Sequence, residues 1–302
     1  LRHAGVRKIM RELVVISGKG GTGKTSLSAS LAVLARGAVL ADCDVDAADL
    51  HLLLEPDVRR QESFVSGQTA VIVPEDCIAC GDCAKLCRFD AVRVSEEAGK
   101  SIYRIDHSAC EGCGLCVLAC PMGAIDFPPR TCGRWYVSST RAGTMVHARL
   151  DPGAENSGRL VTLVRNEARR IAQEEGRDLV LVDGPPGIGC PVIASLTGAT
   201  LVLVVAEPTV SGAHDLERVL ALARHFGLKA AVCVNKWDLS PEGTAAIEHK
   251  ATAMGAGLAG RITYDPEVTK AQIKALTAVE HASGPAARDI TRIWEEVCHM
   301  IT

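Results

Sequence analysis

Gly18-Lys19-Gly20-Gly21-Thr22-Gly23-Lys24-Thr25 is the stretch that decides how this 302-residue chain folds. It fits G-x-x-x-x-G-K-[ST]. The glycines let the backbone curl so that successive N–H groups point at phosphate oxygens. The helix that follows adds the partial positive charge of its N-terminus. Lys24 is expected at the β- and γ-phosphates and Thr25 on Mg²⁺. Gly18, Lys19, Gly20, Gly21, Thr22, Gly23 and Ser26 complete the expected nucleotide cradle. The competing reading, a chance glycine-rich turn, fits the flanks poorly. Residues 12–17 (ELVVIS) form a short apolar, β-branched run that reads as a buried strand, and residues 25–36 read as a helix.

Working outward, strand and helix patterns alternate. Strands are expected at 38–41, 135–140, 143–150, 179–183 (LVLVD), 199–206 (ATLVLVVA) and 230–235. Helices are expected at 160–175, 212–225, 241–254, 266–276 and 286–300. In the 212–225 helix, Leu216, Val219, Leu220 and Ala223 share one face. Strands that are nearly all apolar and alternate with helices imply a mostly parallel sheet covered on both faces. The expected organisation is an α/β P-loop NTPase domain in two parts, residues 11–73 and 130–302. Between them, residues 74–129 form an inserted small α+β domain.

The insertion is marked by cysteines. Of thirteen in the chain, eight fall between Cys77 and Cys120, while Cys43, Cys132, Cys190, Cys233 and Cys298 stand apart. Cys77-x2-Cys80-x2-Cys83-x3-Cys87 is repeated 23 residues later as Cys110-x2-Cys113-x2-Cys116-x3-Cys120-Pro121. Each run has the bacterial spacing for a [4Fe–4S] cluster, in which the fourth cysteine ligates the other cluster. One cluster is therefore assigned to Cys77, Cys80, Cys83 and Cys120, and the other to Cys110, Cys113, Cys116 and Cys87. Gly81, Gly112 and Gly114 fit tight turns whose N–H groups bond cluster sulfur. Zinc is the blander alternative, but it prefers two well-separated C-x2-C pairs. Clustered thiols that are not laid out as a disulfide framework imply a reducing, cytoplasmic setting.

Composition narrows the class. Residues are 47% hydrophobic and 23% charged, enough for a sizeable core. Aromatics make up 3%, which argues against stacking platforms for single-stranded nucleic acid. A net charge of −3 argues against a protein-wide affinity for DNA or anionic membrane. No apolar run approaches the ~18 residues of a membrane span. The first eleven residues are basic without an apolar core, so they are not read as a secretory signal, and Met10 is read as the natural start.

The second lysine of the loop, Lys19, gives K-G-G-T-G-K-T, which resembles the deviant Walker A of the MinD/ParA/Mrp class. Together with the double cysteine run, the chain resembles MinD-superfamily P-loop ATPases containing an inserted two-cluster ferredoxin domain, a group often labelled cobyrinic acid amide synthases. Residues 153–163, 183–191 and 207–218 fit the same likeness. The resemblance implies that Lys19 reaches a partner's nucleotide across an ATP-dependent homodimer, or a heterodimer with a paralogue. In Asp42-Cys43-Asp44, it implies that Asp44 orients the attacking water and Asp42 supports the Mg²⁺ shell. In Asp183-Gly184-Pro185-Pro186-Gly187, Asp183 is expected to hold Mg²⁺ through water and the Gly187 N–H to meet a γ-phosphate. Asn235 is expected to read adenine. The stretch Asn235-Lys236-Trp237-Asp238 is also close to a guanine-reading motif, which keeps GTP open, although the deviant Walker A favours ATP. Arg88 stands where the second cysteine run has Pro121. Cys190 lies in switch II at the offset of an iron-protein cluster ligand, so it is either a ligand near a dimer axis or a small residue before Pro191.

Lys19, Lys24, Asp44 and Asp183 are thus the expected catalytic set, with ATP, Mg²⁺ and two [4Fe–4S] clusters as cofactors. The function implied is nucleotide-dependent dimerisation coupled to electron transfer or metallocluster handling. Its partner would be a redox protein or an acceptor apoprotein, without nucleic acid or membrane insertion. The alternatives are a spatial organiser in which the clusters sense or staple, and a passive electron carrier with a dead ATPase. The 286–300 helix carries Glu295 and Glu296 where a membrane anchor would want cations, so it is read as core-packing.

Overall fold

The computed structural model describes residues 10–154, 157–281 and 283–302. In chain order the elements are β1 (Arg11–Ser17), α1 (Lys24–Ala35), β2 (Val39–Asp42), α2 (Leu50–Leu54), β3 (Asp57–Gln68), β4 (Val71–Ile72), α3 (Asp82–Leu86), β5 (Val92–Glu97), β6 (Lys100–Ile105), α4 (Leu115–Ala119) and β7 (Ile125–Asp126). They continue as β8 (Pro129–Thr140), β9 (Gly143–Leu150), α5 (Ser157–Glu174), β10 (Leu179–Pro186), α6 (Cys190–Leu196), β11 (Leu201–Ala206), α7 (Val210–His225), β12 (Ala230–Asn235), α8 (Pro241–Ala253), β13 (Gly257–Ile262), α9 (Pro266–Ile273), α10 (Ala278–His281) and α11 (Pro285–Ile301). The chain divides into two compact units. Unit 1 takes residues through Glu62, Trp135–Arg149 and Ser157–Thr302, and unit 2 takes Ser63–Arg134 and Leu150–Asn156.

The large sheet has nine strands in the order β13-β12-β11-β1-β10-β2-β9-β8-β3. β1 is central and runs parallel to β10 and β11. β10–β2, β2–β9, β11–β12 and β12–β13 are parallel too. The apolar runs explain this. Leu13, Val14, Val15 and Ile16 are fully buried, as are Leu201 to Val204, because helices cover both faces. α7 buries Leu216, Val219, Leu220 and Ala223, the face read from its spacing. α11 buries Ile290, Ile293, Val297 and Ile301 against the core, and among the described residues no helix is long and apolar enough to cross a membrane. A buried carboxylate, Glu12, ties β1 to α5 by pairing with Arg165 at 2.7 Å and with Arg169.

Six strands escape the sequence pattern, among them the two-residue pair β4 and β7. β3 is polar and mostly exposed, as an edge strand can be. β13 is interrupted by glycine. β5 and β6 form an exposed antiparallel hairpin, closed by Ala98 and Gly99 at φ 50° and 77°. Five short helices, α2, α3, α4, α6 and α10, also fall outside the expected elements.

Unit 2 is wider than the 74–129 stretch marked by the cysteines, because the ends of β3 and β8 belong to it. Its backbone repeats at an offset of 33 residues. Ala79 and Gly112 both have positive φ (58° and 64°), as do Gly81 and Gly114 (78° and 73°) and Asp90 and Gly123 (50° and 62°). Gly81 and Gly114 start α3 and α4, while Cys87 and Cys120 end them with nearly the same φ, −72° and −73°. The two halves exchange backbone bonds: Val73 N–H donates to Ala124 O at 2.9 Å, and Asp106 N–H to Ala91 O at 2.7 Å.

Candidate functional site

The glycine-rich loop joins the C-terminal end of β1 to α1, which is where parallel α/β sheets bind ligands. Two of its glycines are required by close approach. A Cβ on Gly18 would lie 2.3 Å from that of Asp215, and Gly23 has φ 87° with the Asn235 amide against it. Residues Gly20 to Ser26 line a cavity of about 580 Å³, together with Ser17, Asp44, Asp49, Leu53, Pro186 and Gln272. A second cavity, about 220 Å³, is lined by Asn235, Lys236, Thr263, Tyr264, Asp265, Val268 and Thr269 among others.

The register β10–β2 puts Asp183 opposite Asp42 at the strand ends. Asp183 collects three side-chain donors: Lys24 Nζ at 2.9 Å, Ser28 Oγ at 2.7 Å and Thr25 Oγ1 at 3.0 Å. Lys24 also lies 3.6 Å from Asp44. Lys24 and Asp183 are 6% and 1% exposed, so this is a buried ion pair and its charges are compensated locally. Burial works against the Lys24 charge, but Asp183, Asp44 and Asp42 together outweigh it and hold the ammonium above its ordinary range. Burial, reinforced by Asp183, holds Asp42 well above the carboxylate range. Burial and the Asp183 charge push Asp44 up to about 6, against the pull of Lys24.

Asp42 Oδ1 accepts the Asp44 N–H at 3.2 Å, while its buried Oδ2 has no hydrogen-bond partner. An orphaned buried carboxylate oxygen next to Asp183 and Thr25 is what a hydrated divalent cation would satisfy. The donor set therefore fits Mg²⁺.

The other expected site residues have the following neighbours in the structure. Gly18 and Lys19 do not line the phosphate cavity; Lys19 Nζ turns to Ser211 at 3.3 Å and Glu207 at 3.5 Å. The Gly187 N–H donates to Ser17 O at 2.9 Å rather than facing the cavity. Asn235 lines the second cavity, but its amide donates to Thr22 O at 2.7 Å and its Oδ1 accepts the Lys236 N–H. Asp238, the acid of the guanine-like stretch, accepts the Tyr264 N–H at 2.7 Å and is not part of the cavity lining. Ser28, Glu207, Tyr264 and Gln272 went unread in the sequence. They reach the site through contacts over long sequence separations that no local spacing encodes.

In unit 2, Cys77, Cys80, Cys83 and Cys120 line one cavity with Ile72, Tyr103 and Ile125. Cys120 Sγ accepts the Ala124 N–H at 3.3 Å, and Cys87 Sγ accepts the Ala91 N–H at 3.3 Å, the same bond 33 residues earlier. Cys110 and Cys116 pack on the small core of Ala70, Ile72 and Ile125. Among the described residues, no three His, Cys, Asp or Glu side chains are grouped tightly enough to hold one metal ion. Cys190 opens α6 and is exposed.

The CobQ/CobB/MinD/ParA nucleotide binding domain profile matches residues 13–278. The chain belongs to this family. An uncharacterised protein of Methanocaldococcus jannaschii is 33% identical over 232 residues, covering 76% of this chain and 79% of that protein. The iron–sulfur subunit of formate dehydrogenase from Wolinella succinogenes is 33% identical over 93 residues, 28% of this chain and 44% of that subunit. The cell division ATPase MinD of Pyrococcus furiosus superposes with a TM-score of 0.57 at 19% identity, over 97% of this chain and all of that one. The family member described here thus has an α/β P-loop NTPase fold, like that of MinD.

Proposed function

We propose that the chain is an ATP-hydrolysing iron–sulfur protein in which nucleotide-dependent pairing of two copies is coupled to electron transfer or cluster handling through two [4Fe–4S] clusters. The observation that carries the iron–sulfur half is the cavity lined by Cys77, Cys80, Cys83 and Cys120, which joins three cysteines of one run with the last of the other. The backbone N–H bonds to Cys87 and Cys120 sulfur are the kind that tune clusters. Unit 2 also lacks the apolar core that would hold it alone. Phe64, Ala70, Ile72, Ala91, Ala124, Ile125 and Cys132 are its buried apolar side chains among the described residues. The partial likeness to an iron–sulfur subunit agrees with this reading.

For hydrolysis, water attacks the γ-phosphorus and the bond to the β-phosphate oxygen breaks. Asp44, at the rim of the phosphate cavity, orients the water, and Lys24 offsets charge building on the phosphoryl oxygens. Mg²⁺, held by Thr25 and through water by Asp183 and Asp42, would neutralise the β- and γ-oxygens. Lys24 must leave Asp183 as the phosphates arrive. Lys19 faces away from its own phosphate cavity, as a residue destined for a partner's nucleotide would. Val210, next in the chain to Ser211, is 93% exposed and offers that partner an apolar contact. Adenine is favoured because Asp238, needed to read guanine, is engaged with Tyr264.

The test is anaerobic purification followed by iron counting and electron paramagnetic resonance with and without Mg·ATP. About eight irons per chain and a nucleotide-dependent spectrum are expected. Zinc, or a spectrum indifferent to nucleotide, would defeat the coupling. The likeness of the fold to a cell division ATPase supports a second reading, a spatial organiser. Nucleotide-dependent pelleting with liposomes or DNA would favour it.

A further inference from the structure

We propose that Gln272 is the ribose-binding side chain of the nucleotide site. This rests on the nucleotide reading above and adds a residue to it. The two cavities beside the glycine-rich loop share Gly21, Gly23, Ser26 and Gln272 in their linings. One contains the phosphate loop; the other, bounded by Asn235 and Tyr264, is where a base fits. In a nucleotide the sugar lies between base and phosphates, so it falls at the shared boundary. Two of the four shared residues are glycines without side chains. The other two are joined: Gln272 Nε2 donates to Ser26 Oγ at 2.6 Å. A vicinal diol can take over that hydroxyl's place, accepting from Nε2 or donating to Oε1.

The support under Gln272 is rigid. It lies in the last turn of α9, whose preceding residue Ala271 is fully buried. The N-terminus of the helix is capped by the Asp265 carboxylate, which accepts the Glu267 N–H at 3.0 Å. The same carboxylate is reached by the Ala286 N–H at 3.4 Å, so α9 is tied to the start of α11. A side chain held this way selects for ribose by position rather than by induced movement.

The experiment measures binding of ADP, 2′,3′-dideoxy-ADP and pyrophosphate to the full chain and to Gln272→Ala by calorimetry. The wild type is expected to prefer ADP over the dideoxy analogue about five-fold, the worth of one net hydrogen bond. Gln272→Ala is expected to bind both adenine nucleotides alike, with a smaller change in pyrophosphate affinity than in ADP affinity, because Lys24, Thr25 and the loop glycines remain. A variant that keeps the wild-type preference, or a wild type that shows none, overturns the assignment. A fall in pyrophosphate affinity in the variant as large as its fall in ADP affinity also overturns it, since that marks damage to the loop and not a lost sugar contact. If wild type binds no adenine nucleotide at all, the nucleotide reading fails and the ribose assignment fails with it.

Discussion

Unit 1 and unit 2 are stabilised by different means although one chain makes both. In unit 1 whole strands are buried, and Leu13, Ile16, Leu40, Leu201 and Leu203 sit at or near zero exposure between helices. In unit 2 the buried apolar cluster amounts to Ala70, Ile72 and Ile125, ringed by cysteines. A fold of the first kind is specified by hydrophobic burial and tolerates variation that keeps volume and pattern. If unit 2 binds clusters as proposed, its cysteine ligands supply what burial that small does not, since it cannot offset chain entropy. Unit 1 is held by its apolar strands, while unit 2 has little buried apolar surface of its own.

The sharpest way to break this comparison is to strip metal anaerobically with a chelator. Unit 2 is expected to lose its protection from proteolysis entirely, while the nucleotide unit stays folded by near-ultraviolet dichroism. Equal resistance in both units would erase the distinction. Next in size is Lys24→Ala, which removes the cation from a buried pocket holding Asp42, Asp44 and Asp183. Hydrolysis is expected to fall at least about a hundred-fold, with iron content unaltered; a phosphate-release assay alongside iron analysis checks both. Leu203→Ala probes the opposite side. It is expected to cost about 2–5 kcal/mol in denaturant unfolding of the nucleotide unit, leaving the cluster spectrum as it was.

A smaller effect concerns acid. His147 stacks on Tyr136 at 4.9 Å and lies 2.8 Å from Ser138 Oγ. Burial, with the neighbouring His51 charge, lowers it from 6.5 to about 4. Between those values the unfolded chain binds a proton that the folded chain does not. Stability is therefore complete above pH 6.5 and declines as pH falls toward 4, by at most about 3 kcal/mol. His147→Gln should flatten that decline in melts taken across the range. The smallest expected change follows Glu207→Gln, which loosens both Lys19 and Lys236, the latter paired at 2.7 Å. A rise of about two-fold in dimer fraction with Mg·ATP, measured by light scattering, is the expected result.

The same contrast explains what could be read in advance. β1, β2, β10, β11 and β12 announce themselves as apolar runs because parallel strands are buried on both faces. β3 does not, because DVRRQESFVSGQ lies at a sheet edge and keeps its side chains mostly in water. The phosphate cavity was legible where its residues are contiguous, from Gly20 to Ser26, and at Asp44, just past the end of β2. Gln272 was not, since its link to Ser26 spans 246 residues and α9 carries no pattern that names a ligand. The Lys19 environment was illegible for the same reason: Glu207 and Ser211 come from a different strand–helix junction.

The exchanged backbone bonds of unit 2, Val73 to Ala124 and Asp106 to Ala91, set an order of events during synthesis. Neither repeat can close on its own, because each needs a carbonyl from the other. The polypeptide emerging from the ribosome must therefore carry an unfinished stretch of thiols until residue 126 or so has cleared the exit tunnel. If unit 2 takes up iron as proposed, the metal has to arrive after that stretch is complete.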